Sequence, residues 1–119
     1  MQLDDRPVGD VTVLTVSGEI TLNKGGDLAL RDKVVSLLQQ GRRKLVLELA
    51  GVSYVDSSGL GQLVQAHAAA ANSGGALKLA SPAKRLRDLL AVSRLLSVLD
   101  THESEAAAIA SFGQDGNNR

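Results

Sequence analysis

A chain of 119 residues, 44% of them hydrophobic, is long enough to form one domain with an apolar core that needs neither disulfide nor metal. Thirteen basic side chains balance thirteen acidic ones, so no overall field favours nucleic acid or an anionic membrane as partner. The absence of cysteine excludes disulfides, thiolate catalysis and cysteine metal sites, and Tyr54 and Phe112, the only aromatic rings, give no stacking platform for single strands.

Residues 2–6 read as a short edge strand closed by a turn at Pro7-Val8-Gly9-Asp10. Residues 11–18 alternate, with Val11, Val13 and Thr15 on one face and Thr12, Leu14 and Val16 on the other, which predicts a strand partly covered on both sides. From Thr21 the two glycines Gly25 and Gly26 argue for a loop. Leu30, Val34, Leu37 and Leu38 then share a helical face that stops at Gly41. Residues 44–49 are short and largely apolar, as a buried strand of a parallel or mixed sheet would be.

Leu60, Leu63, Val64, His67, Ala68 and Ala71 recur at helical spacing and predict an amphipathic second helix that ends within Asn72-Ser73-Gly74-Gly75. Residues 76–80 read as another strand. Ser81-Pro82 suits a helix start, with serine as cap and proline in the first turn, and Leu86, Leu89 and Leu90 facing inward. Residues 98–100 read as a last short strand, 103–112 as a final helix with two acids in its first turn, and 113–119 as a flexible tail. This alternation predicts an α/β layer with most helices against one sheet.

The junction Asp56-Ser57-Ser58-Gly59-Leu60-Gly61 joins strand to second helix. Its simplest role is capping, since Asp56, Ser57 and Ser58 are all good N-cap residues. A cap needs only one residue, however, and Gly59 and Gly61 each cost ~1 kcal/mol relative to alanine inside a helix. Glycine there suits a bare surface that lets another protein approach, or a backbone that opens on modification. A serine hydrolase is disfavoured, because Val55 and Asp56 stand where Gly-x-Ser-x-Gly needs its first glycine. His67 lies ~15 Å along the helix from Ser57, beyond hydrogen-bond reach. A phosphate loop is equally weak: Gly59-Leu60-Gly61 lacks a following Lys-Ser/Thr, and Asp56 would repel the anion. Two distant histidines and scattered acids make no metal ligand set, and no cofactor is expected.

The segment from Gly51-Val52-Ser53-Tyr54-Val55 through Asp56-Ser57-Ser58-Gly59-Leu60-Gly61 resembles the anti-sigma-factor antagonists with a STAS domain. The likeness extends to Gly18-Glu19-Ile20, Gly74-Gly75-Ala76-Leu77, Ser81-Pro82-Ala83-Lys84-Arg85-Leu86 and the closing helix at Glu105-Ala106. It implies a single STAS-like domain over residues 1–112, with a mixed, mostly parallel sheet of four to five strands and about four helices. It further implies a non-enzymatic cytoplasmic regulator, monomeric or weakly dimeric. Ser57, the serine after the aspartate, is the implied phosphorylation site, with Ser58 as alternative. The implied partners are an anti-sigma factor that is also a serine kinase, and a serine phosphatase, met through Asp56, Ser57, Ser58, Gly59, Leu60 and Gly61. Many of these antagonists carry an aspartate where Thr21 follows Ile20, and Lys24-Gly25-Gly26 lengthens the loop that neighbours the switch serine in the family. The alternative reading is a STAS-type scaffold or accessory subunit of a signalling or transport assembly, with no phospho-switch.

Arg42-Arg43-Lys44, and Lys84, Arg85 and Arg87 on the third helix, read as solvated charge. Glu48, alternating between Leu47 and Leu49, either lies near water at the strand end or supports the junction by hydrogen bonds.

Overall fold

The computed structural model describes residues 1–21 and 29–117, of which 114–117 as backbone only. In chain order the elements are β1 (Gln2–Val8), β2 (Val11–Ile20), α1 (Ala29–Gln39), β3 (Lys44–Val55), α2 (Ser57–Asn72), β4 (Ala76–Ala80), α3 (Lys84–Val92), β5 (Thr101–His102) and α4 (Glu105–Asn117). One five-stranded sheet runs in the order β1-β2-β3-β4-β5. Only the β1–β2 pair is antiparallel, so the sheet is mixed and mostly parallel, as expected.

Strict alternation along the central strands gives the sheet two covered faces. Leu14, Leu45, Leu47, Leu49, Leu77 and Leu79 point to the side occupied by α1, α2 and α3, where they meet Leu30, Val34, Leu37, Leu63, Leu86 and Leu90. Val11, Val13, Val46 and Ala80 point the other way and are covered by Ala108 and Phe112 of α4. Each fully buried leucine on the larger face contributes roughly 1.5–3 kcal/mol, so that face dominates stability. Lys78 also points to the α4 side and is only 3% exposed. Its ammonium donates to Ser111 Oγ at 2.7 Å, lies 3.4 Å from Asp100 Oδ2, and sits 4.4 Å from the centre of the Phe112 ring. The buried charge is thus met by a hydroxyl, a carboxylate and an aromatic face, which is what allows it to stay buried.

The β1–β2 hairpin is tighter than the sequence pattern predicts: Val8 pairs with Val11, leaving Gly9 at φ 63° and Asp10 as the two-residue turn. The α1 face is the predicted one, and Gly41 at φ 89° takes the left-handed conformation after it. β3 is twice the length expected, because residues 51–55 continue it and pair with the end of β2.

Three helix expectations are corrected. The buried face of α2 is Gly59, Gln62, Leu63, Ala66 and Ala70; of the predicted stripe Leu63 belongs to it and half-buried Leu60 packs against the core, while Val64 is 38% exposed and Ala68 and Ala71 face outward. Small residues contribute little to a hydrophobic pattern, yet they let the helix lie close on the sheet. Ser81 does not cap α3: it sits at φ 59° and turns its hydroxyl to Glu48 Oε2 at 2.9 Å, so the helix starts at Lys84 with Ala83 at the cap. α4 starts at Glu105, capped by the Ser104 hydroxyl accepting from Ala107 N–H at 3.0 Å, and runs through Gly113 to Asn117, past its expected end. Glu103 therefore lies before the helix, and residues 118–119 of the expected tail are outside the described residues. The last strand also shifts. Residues 98–100 form a turn, with Asp100 at φ 51°, and pairing to β4 begins only at Thr101.

Candidate functional site

The junction lies where the parallel strands β2 and β3 both end, the edge at which open α/β sheets commonly place their sites. Glu19 pairs with Tyr54 and Ile20 with Val55, so the last residue of each strand is fixed against the other. The chain then turns at Asp56, which has extended backbone (φ −96°, ψ −176°), into α2.

Asp56 is the cap. Its Oδ1 accepts from Gly59 N–H at 2.7 Å, its carbonyl accepts from Leu60 N–H at 2.9 Å, and its own N–H donates to the Ile20 carbonyl at 3.4 Å. The capping role thus falls to the aspartate alone and leaves both serines free for something else. Ser57, the first residue of the helix, is exposed, whereas Ser58 is half-buried.

The two glycines have different reasons. Gly59 is buried, and a Cβ built on it would lie 1.8 Å from the Ile20 carbonyl oxygen and 3.0 Å from Val55 Cγ1. It serves the packing of α2 against the end of β2. Gly61 has nothing within 4 Å of such an atom, so it remains part of an open surface with Ser57 and half-buried Leu60.

Along its whole length α2, SSGLGQLVQAHAAAAN, carries no acidic or basic side chain other than His67. Beyond Ser57 its outward residues are Val64, Gln65, Ala68, Ala71 and Asn72. A solvent-facing helix ordinarily carries charge on its outer face, and this one does not. The serine therefore sits at the head of an uncharged strip. Thr21 follows Ile20 past the end of β2; it is 6% exposed, and its buried hydroxyl has no partner among the described residues. Lys24, Gly25 and Gly26 of the loop that follows lie outside the described residues.

Among the described residues neither histidine forms a catalytic relay. His67 is half-buried farther along α2, and its Nδ1 has no partner among the described residues. His102 lies on β5 with Asp100 Oδ1 at 2.9 Å and Ser111 Oγ at 3.5 Å, but both approach the same Nε2, so no relay from carboxylate through ring to hydroxyl exists. The Ser111 hydroxyl is already directed to the Ala108 carbonyl at 2.7 Å. Among the described residues no group of three or more His, Asp or Glu side chains could hold a metal, and no helix is long and apolar enough to cross a membrane. Glu48 accepts from Ala50 N–H and Ser81 Oγ, each at 2.9 Å, so it ties β3 to the start of the α3 connection instead of supporting Asp56. Of the basic groups, Arg42 reaches Thr12, Arg43 the Leu38 carbonyl, and Lys44 Asp10.

Comparison with known proteins adds to this geometry. The family model described as Mlab, STAS domain, matches residues 4–100, most of the chain. The chain belongs to the STAS domain family. Among the relatives of this STAS protein is the anti-sigma-B factor antagonist of Bacillus subtilis (strain 168), 34% identical over 97 residues that span 76% of this chain and 88% of the relative. The fold is shared with an anti-sigma factor antagonist from Mycobacterium paratuberculosis, at 19% identity and a TM-score of 0.80 with 92% of each chain covered. It is also shared with the Bacillus cell fate determinant SpoIIAA in its phosphorylated form, at 20% identity and a TM-score of 0.68, covering 93% of this chain and 99% of that one.

Proposed function

We infer that this STAS protein is an anti-sigma-factor antagonist working by partner switching in the cytoplasm. In its unphosphorylated form it binds an anti-sigma factor that is also a serine kinase. Phosphorylation of Ser57 releases that partner, and a serine phosphatase restores binding. The chain acts by association, without catalysis of its own.

The observation that carries this reading is the exposed Ser57 hydroxyl at the first position of α2, ahead of an uncharged outer strip and beside an aspartate already committed to capping. Half-buried Ser58 is the poorer substrate. Phosphorylation adds about −1.5 to −2 charge and three acceptor oxygens. The positive end of the helix tolerates that charge within the protein. A partner surface matched to a small neutral hydroxyl does not, because it would have to desolvate a phosphate next to the Asp56 carboxylate. A named relative that antagonises an anti-sigma factor, and a protein of the same fold solved in phosphorylated form, agree with this scheme.

The test is incubation with serine kinases of the anti-sigma type and ATP, mass-spectrometric mapping of the modified residue, and a binding titration before and after. Ser57→Ala is expected to bind constitutively and Ser57→Asp to lose affinity, while Ser58→Ala keeps the switch. Full partner affinity in Ser57→Asp refutes the mechanism. Stable binding without modification points instead to the scaffold or accessory-subunit reading.

A further inference from the structure

Beside the α2 N-terminus, the tail of β3 and the start of α3 enclose a groove of about 300 Å3. Val52, Val55, Leu86 and Leu89 line it, together with Tyr54, which is 46% exposed. The one charged residue among those lining the groove is Arg85. Lys84, its neighbour on α3, is paired with Asp88 at 2.9 Å, whereas Arg85 is exposed and makes no ion pair among the described residues. An apolar slot with a single unpaired guanidinium and a phenol is the donor set for an amphiphile with one anionic head. The volume lies at the lower end of small-molecule sites, and at ~30 Å3 for each water-sized group it holds about ten non-hydrogen atoms.

We propose that this groove binds a small amphiphilic carboxylate, an unbranched chain with its head on Arg85 and its tail along Leu86, Leu89, Val52 and Val55. A planar carboxylate matches the fork of one guanidinium, whereas a phosphate dianion would call for more donors than the groove offers. The site stands apart from the phosphorylation of Ser57 and does not depend on it. Occupancy is nonetheless felt at the junction, because Val55 both lines the groove and abuts Gly59.

The experiment is a titration of the uniformly 15N-labelled full chain with octanoate, followed by amide chemical shifts, with octanol as the neutral control. Saturable shifts are expected at Tyr54, Val55, Leu86 and Leu89, reaching Asp56 and Gly59. Arg85→Gln, an exposed substitution that leaves the core intact, should weaken octanoate about tenfold or more and leave octanol unchanged. Leu89→Ser should weaken both. Three outcomes overturn the proposal: no saturable shift, shifts centred on the exposed Val92 and Val98 instead of the groove, or octanoate affinity unaltered in Arg85→Gln.

Discussion

Gly59 and Gly61 stand two residues apart in the same helix, yet alanine should act on them with opposite signs. At Gly59 the added methyl would lie 1.8 Å from the Ile20 carbonyl oxygen, so α2 and the end of β2 must separate by ~1.2 Å to reach 3.0 Å, the tightest spacing real Cβ atoms show. The atoms in the way are backbone, fixed by the Ile20–Val55 pairing, and cannot swing aside as a side chain would. Overpacking of this kind costs roughly 1–3 kcal/mol. The same movement stretches the 2.7 Å bond from Gly59 N–H to Asp56, and a lost cap costs ~1 kcal/mol more. Alanine returns ~1 kcal/mol through helix propensity, so Gly59→Ala should be destabilised by about 1–3 kcal/mol. At Gly61 nothing opposes the methyl, and Gly61→Ala should gain about 0.5–1 kcal/mol. Urea denaturation followed by circular dichroism measures both: with a slope of about 1–3 kcal/mol per molar, the Gly59→Ala midpoint falls by roughly 1 M and the Gly61→Ala midpoint rises slightly. A Gly59→Ala midpoint within error of the wild type, or equal shifts for both variants, would refute the packing argument.

Removing the cap directly, Asp56→Ala should cost about 0.5–2 kcal/mol in the same assay, with Asp56→Asn costing less because asparagine also caps. The Lys33 ammonium, 2.8 Å from Asp5 Oδ1, lowers the Asp5 carboxyl below its usual range, chiefly through their hydrogen bond. Because the folded-state value is the depressed one, this stabilisation is present above the unfolded carboxyl value of about 3.9 and lost as pH falls through the folded value. An NMR titration should therefore find Asp5 titrating below ~3.9 and returning towards it in Lys33→Met, with little change in stability between pH 7 and 5. On the opposite face, Asp100→Asn keeps a residue tolerant of φ 51° but takes the carboxylate from both buried Lys78 and His102, and should cost roughly 1–3 kcal/mol by urea denaturation. A neutral result would mean that the other partners of Lys78, Ser111 and the Phe112 ring among them, suffice for its charge.

The elements most legible in the sequence were those in which large apolar residues repeat without competition. β2 with its two covered faces, α1 with Leu30, Val34, Leu37 and Leu38, and β4 all read correctly on that basis. α2 misled because both of its sides are apolar. Val64, Ala68 and Ala71 continued the pattern set by Leu60 and Leu63, although Gly59, Ala66 and Ala70 are the small residues buried on the inner side. Ser81 looked like a cap because nothing local announces Glu48, 33 residues earlier in the chain, as the competitor for its hydroxyl. The same holds at the site. Capping at the junction could be read from neighbouring residues, but with Asp56, Ser57 and Ser58 all eligible only the fold singles out Asp56 and leaves Ser57 exposed. The role of Gly59 depends on the Ile20 carbonyl, and the groove on α3 meeting the tail of β3, contacts that no local pattern encodes.

The arrangement around Ser57 also bears on how a phosphate there would act. Of the first-turn amides of α2, Gly59 N–H is held by the Asp56 side chain, and Asp56 N–H is directed to Ile20. Those of Ser57 and Ser58 have no partner among the described residues. Two free donors at the positive end of a helix are what an attached phosphate would meet first, so its charge would be accommodated where it forms. The cap and the Gly59 contact hold the turn from both sides, which leaves the phosphate little backbone to rearrange. In the proposed switch, the energetic difference between the two forms therefore lies at the partner's surface, which must accept either a hydroxyl or a dianion on an otherwise uncharged strip. On that proposal, release would need no refolding of this domain.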